Sequence, residues 1–132
     1  MEHWNKWKPI NGMPSKLYND ALIDNKEGIT LEFSDEDHKK KIFVTFEHGV
    51  LSYRNTDEGS LLKRLDYLDQ QYGTNFYSEC TLFKVEDSDY MDWFLDESLG
   101  IYERSQLEHY VFLTLNDVIE ILTTYPPCVV MK

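Results

Sequence analysis

Apolar and polar positions alternate through the first half of the chain and regroup at helical spacing further on. Gly28–Ser34 (GITLEFS) sets Ile29, Leu31 and Phe33 against Thr30 and Glu32. That period of two is the mark of a half-buried strand. Residues 41–47 repeat it with Ile42, Val44 and Phe46, His48-Gly49 supplies a turn, and residues 50–54 return. Short turns join antiparallel strands only, so these segments predict a meander. Residues 16–24 form a weaker strand candidate. Residues 1–15 carry Trp4 and Trp7 among Pro9, Gly12 and Pro14. They read as a lead-in that lays two indoles on the core, or else as an exposed aromatic patch.

Helical spacing appears first at residues 57–72. Leu61, Leu65, Leu68 and Tyr72 recur at i, i+4, i+7 and i+11, with Thr56 as cap and Gly73 as stop. Residues 76–85 predict a long strand. An acidic helix follows from Ser88 to Gly100, then a connection over residues 101–107 and a strand over residues 108–114. Thr114 and Asp117 match a capping pattern ahead of Val118, Ile119, Ile121 and Leu122, which predicts a last helix over residues 115–124. Pro126-Pro127 end it, and Cys128–Met131 forms a short final strand. The expected fold is α+β: a single domain over residues 1–132, with a mainly antiparallel sheet and about three helices packed on it.

Charge changes this picture. The chain has 132 residues and a net charge of −11. Residues 67–132 hold 12 acids against Lys84, Arg104 and Lys132, whereas residues 1–66 hold 12 acids against 10 bases. Such a surplus opposes nucleic-acid phosphates and anionic lipid and favours cationic partners. It also serves plain solubility. No apolar run reaches the roughly 18 residues of a membrane span. The opening MEHWNKWK has no apolar core of a secretory leader. Cys80 and Cys128 read as reduced, buried thiols, although a disulfide between them stays open. The expected compartment is cytoplasmic.

No catalytic signature emerges. The sequence lacks a G-x-S-x-G, a P-loop and a G-x-G-x-x-G. His3, His38, His48 and His109 show no metal spacing to one another or to a cysteine. His109, at the head of an apolar strand, reads as a structural imidazole. No enzyme activity, metal, cofactor or small-molecule substrate is expected.

The stretch EDSDYMDWFLDE, residues 86–97, carries six acids and no cation. As a helix it places Met91, Phe94 and Leu95 inward and Asp89, Asp92 and Asp96 outward, with Trp93 at the border. Like charges three and four apart weaken a helix by a few tenths of a kcal/mol each. Asp96 also lies toward the unfavourable end of the helix dipole. The face is either simply solvated or complementary to a cationic partner. On the second reading the partner-binding residues are Asp89, Asp92, Trp93, Asp96, Glu97 and Tyr102. For Trp93 and Tyr102, core packing is the alternative.

The C-terminal half resembles small immunity proteins of bacterial polymorphic-toxin and contact-dependent growth-inhibition systems. The likeness runs through Phe83-Lys84-Val85-Glu86-Asp87-Ser88 to Tyr90, Trp93, Ser98 and Gly100. It continues with His109-Tyr110, Thr114, residues 116–122 and Pro126-Pro127, and so spans residues 76–130. It implies a cytosolic, non-enzymatic protein that neutralises one cognate toxin domain, often a nuclease. It carries over no individual binding residue. Other classes consistent with the acidity are a nucleic-acid mimic, an adaptor, or a small enzyme with an unrecognised site.

Overall fold

The computed structural model describes residues 2–132. Met1, the first residue of the predicted lead-in, lies outside them. The chain is α+β, with nine strands in two antiparallel sheets and, among the described residues, two α-helices. The five-stranded sheet contains β1 (His3–Lys6), β5 (Val50–Asp57), β6 (Leu82–Glu86), β7 (Glu108–Leu113) and β8 (Asp117–Thr123), in the order β1-β6-β7-β8-β5. The four-stranded sheet contains β2 (Tyr18–Asn25), β3 (Gly28–Ser34), β4 (Lys41–Phe46) and β9 (Cys128–Met131), in that order.

Three layers follow from which residues face which way. Tyr110, Phe112, Ile119 and Ile121 on one face of the five-stranded sheet pack on Leu31, Phe33, Ile42, Val44 and Phe46 of the other sheet. The opposite face carries Phe83, Val85, Val111, Leu113 and Val118. With Trp4 they bury against Leu68 of α1 (Leu62–Tyr72). Beside α1, α2 (Asp89–Glu97) presses Tyr90 and Met91 onto Leu107 and Leu122. Strands β7 and β8 are thus covered on both sides. Each large apolar side chain buried there contributes about 1.5–3 kcal/mol.

Four sequence-based expectations need correction. The segment predicted as the last helix is β8. Its apolar positions fit a helical stripe, but a strand buried on both faces shows the same continuous run, and periodicity cannot separate the two. The Thr114–Asp117 pair caps no helix. Asp117 N donates to Thr114 Oγ1 at 2.8 Å and Thr114 N donates to Asp117 O at 2.9 Å, which closes the β7–β8 hairpin. The first helix begins at Leu62, because the backbone up to Asp57 is held in the ladder with β8.

The third correction concerns residues 76–85, where only Leu82 onward is strand. The turns before it are held by the Lys16 ammonium, which donates to the carbonyls of Tyr77 (2.6 Å), Cys80 (3.3 Å) and Leu113 (2.6 Å). Burial pulls that amine down to about 8. Finally, both cysteines are free, Cys80 buried as expected but Cys128 exposed on the edge strand β9. The lead-in expectation fits better: Trp4 is buried in β1 and Trp7 packs on Tyr110.

The β2–β3 turn supplies one stability prediction. Gly28 has φ +115°, and a Cβ there would sit 2.2 Å from the Phe46 carbonyl oxygen. Gly28→Ala combines backbone strain with a clash against main chain. It is expected to cost about 2 kcal/mol or more in urea unfolding. A midpoint equal to that of the parent protein would contradict the close approach.

Candidate functional site

The helix-bearing face of the five-stranded sheet is organised by one carboxylate. Glu120 sits mid-β8 with only 1% of its surface exposed. Arg54 lies directly opposite it across the β5–β8 ladder and donates Nε to Oε2 at 2.6 Å and Nη2 to Oε1 at 3.2 Å. Arg64 reaches down from α1 to place Nη1 2.9 Å from Oε2. That contact is an ion pair only, since the Nη1 hydrogens miss hydrogen-bond geometry. His109 Nε2 lies 3.0 Å from Oε1. An ionised carboxylate can only accept, so Nε2 carries the hydrogen of that bond. His109 Nδ1 is buried with no partner. Burial alone would raise the Glu120 carboxyl. The bonds from His109 and Arg54 and the charge of Arg64 outweigh it and hold the group far below the usual carboxylate range.

This cluster seats α2. The Arg54 guanidinium stacks 4.1 Å from the centre of the Tyr90 ring, and Tyr90 also meets His109 edge-on at 5.4 Å. The Tyr90 hydroxyl bonds Ser52 Oγ at 2.5 Å. Two oxygens satisfy the first amides of the helix: Ser88 Oγ accepts from Met91 N at 3.0 Å, and Glu2 Oε2 accepts from Asp89 N at 2.8 Å. Between α1 and α2 a cleft of about 500 Å³ is lined by Glu2, Leu61, Leu62, Arg64, Tyr67 and Asp89.

With Tyr90, Met91, Phe94 and Leu95 turned inward, the outer face of α2 falls to the residues singled out from sequence. Asp89, Asp92, Asp96 and Glu97 are exposed, and Trp93 is 53% exposed. At about 100° per residue these five share an arc of about 140°. Trp93 stacks on Tyr90 at 5.8 Å, so the ring is held while its outer surface faces solvent. Tyr102 stands apart from this face. It is half-buried against Phe94, at 5.8 Å, and supports the helix from below.

Cations touch the acidic face at one point. Arg104 pairs with Asp92, both partners about half-exposed, while Lys84 turns to Glu108 at 3.4 Å. Asp89, Asp96 and Glu97 have no ion-pair partner among the described residues. The surface is therefore unevenly neutralised, and most strongly negative toward the C-terminal end of the helix.

Reading the sequence missed two sets of residues. Arg54 and Glu120 are single charges inside otherwise strand-like runs, a signal that could have marked them as cross-strand partners. Leu99 and Ile101, just beyond α2, are 91% and 75% exposed, and only their proximity to acids hinted at a surface position. Among the described residues no group of three or more His, Cys, Asp or Glu is placed to hold a metal ion, and no helix is long and apolar enough to cross a membrane. Searches against family models, curated proteins and solved structures return no match to this chain.

Proposed function

We propose that this chain is an inhibitor of the immunity-protein kind: a cytoplasmic, non-catalytic protein that binds one basic toxin domain and covers its working surface. The observation that carries the reading is the outer face of α2, where Asp89, Asp96 and Glu97 have no ion-pair partner among the described residues and surround a half-exposed Trp93 stacked on Tyr90. A surface of one sign raises encounter rates with an opposite one by about 10- to 10³-fold. An exposed indole supplies the desolvated contact that slows dissociation. The acids would face the Lys and Arg side chains with which a nuclease domain holds phosphates. The resemblance over residues 76–130 points the same way.

Co-expression tests it. The product of the gene immediately upstream is expressed alone and together with this chain. Growth arrest relieved by the chain, with a one-to-one complex on sedimentation, is the expected result. Arrest that persists with both proteins soluble and unassociated would reject the role.

A further inference from the structure

We infer that the turn after α2 is a preformed apolar anchor, in which Leu99 and Ile101 enter an apolar depression on a basic protein partner. The anchor presupposes the inhibitor role proposed above and assigns its contact point to residues outside the acidic face.

Residues 98–101 leave the helix in an unusual way. Leu99 N donates to the Asp96 carbonyl at 3.1 Å and Ile101 N to the Ser98 carbonyl at 3.1 Å. Ser98 Oγ donates to the Leu95 carbonyl at 3.2 Å. The end of the helix is thus closed, and the turn is held by its own backbone. Within it Leu99 adopts φ 52°. That left-handed position after a helix normally falls to glycine or asparagine. Here the glycine comes one residue later, at Gly100 with φ 81°. His38 and Asp87 are the other non-glycine residues with positive φ. Both types can bond locally in that conformation, as leucine cannot.

Leucine at such a site gains nothing from the fold, because its side chain makes no core contact and is 91% exposed. Ile101 is 75% exposed two residues on, and Trp93, 53% exposed, lies six residues before Leu99 on α2. Three of the largest exposed apolar side chains of the molecule therefore fall within nine residues of chain.

Charge states what covers them. Asp96 and Glu97 precede the turn and Glu103 follows it, all exposed, while Arg104 is engaged by Asp92. A second copy of this acidic chain would bring like charges together around the apolar tip. A depression rimmed by Lys and Arg satisfies both the tip and its rim. An apolar centre with a polar border is the usual layout of a protein–protein interface.

The test uses the purified product of the upstream gene as probe, with Leu99→Asn and Ile101→Ser as variants. Asparagine tolerates the left-handed backbone, so Leu99→Asn is expected to keep the melting temperature or raise it by about 2 °C. Each variant is expected to dissociate about 30-fold faster from the probe, with association within about threefold of the parent. If the parent protein itself fails to bind, the inhibitor role falls and the anchor with it. If the parent binds and both variants match it, the anchor alone is overturned. A melting temperature lowered by several degrees in Leu99→Asn would make Leu99 a folding residue and likewise overturn it. So would loss of self-association in the variants with probe binding intact, which would mark a homodimer contact.

Discussion

Glu120→Ala is expected to lower the unfolding free energy by about 3–5 kcal/mol, the cost of leaving buried cationic partners without their counter-charge. Small domains are stable by about 5–15 kcal/mol, so much of the fold's margin is at stake. Arg64 is largely buried, and its guanidinium would be left over the Trp4 ring, 5.5 Å away, without its one ion-pair partner among the described residues. Arg54 is closer to solvent and can regain water, which keeps the loss from exceeding that range. His109 would lose the acceptor of its Nε2 hydrogen and become a buried ring with no hydrogen-bond partner at either nitrogen. Urea unfolding at neutral pH measures the change, and a loss under about 1 kcal/mol would show that the cluster does not hold the layers together. Adding Arg64→Met to Glu120→Ala separates the two contributions, because the cavity at position 120 stays. Removing both charges recovers part of the loss if unpaired charge is its cause, and recovers nothing if the cavity is.

The same carboxylate sets an acid limit. Its pKa is depressed in the folded state, so the unfolded chain binds the proton first as pH falls. The stabilisation is therefore fully present above the ordinary glutamate value of about 4.3 and declines below it toward the folded value. Unfolding midpoints of the parent protein are expected to drop steeply below pH 4.3. In Glu120→Gln that part of the slope disappears, because nothing is left at the site to titrate. Parallel profiles for the two proteins would overturn the assignment.

The same residue explains how far the sequence could be read. Period-two alternation located β3 and β4 because those strands have one face drier than the other, and the His48-Gly49 turn located the start of β5. Alternation failed at β8, where the sheet is covered on both sides and the one polar residue between Val118 and Leu122, Glu120, points inward to partners 66 and 11 residues away. Seen locally, a glutamate between isoleucines behind a Thr-x-x-Asp motif belongs to a capped helix. Only the pairing of β8 with β5 and β7 makes it a buried ion-pair centre. The α2 face was legible because a short amphipathic helix states its inside and outside within two turns. Tyr102 was not, since its packing against Phe94 depends on how the connection folds back beneath the helix. Leu99 eluded the pattern for another reason: a left-handed leucine obeys no propensity, so nothing local foretells it.

Reversing charge at the end of α2 is expected to separate binding from folding in one experiment. Asp96 and Glu97 occupy the last turn, where the helix dipole is negative and basic residues are absent. Lysine at both positions exchanges a repulsion for an attraction and should stabilise the helix by about 0.3–1 kcal/mol per site. If the face steers a basic partner, the same double variant should associate at least about tenfold more slowly at low salt. The deficit should shrink as ionic strength rises, since a Debye length of about 10 Å at 0.1 M screens charges that do not touch. Asp92 is a poorer choice for the experiment because its reversal also strands Arg104 beside a new cation. Stopped-flow association with the upstream gene product, read beside thermal unfolding of the free chain, gives both numbers. Slower association without loss of stability identifies acids kept for a partner at some cost to the helix. Unchanged association at low salt would instead leave them as an ordinary solvated surface and remove the electrostatic basis of the proposed role.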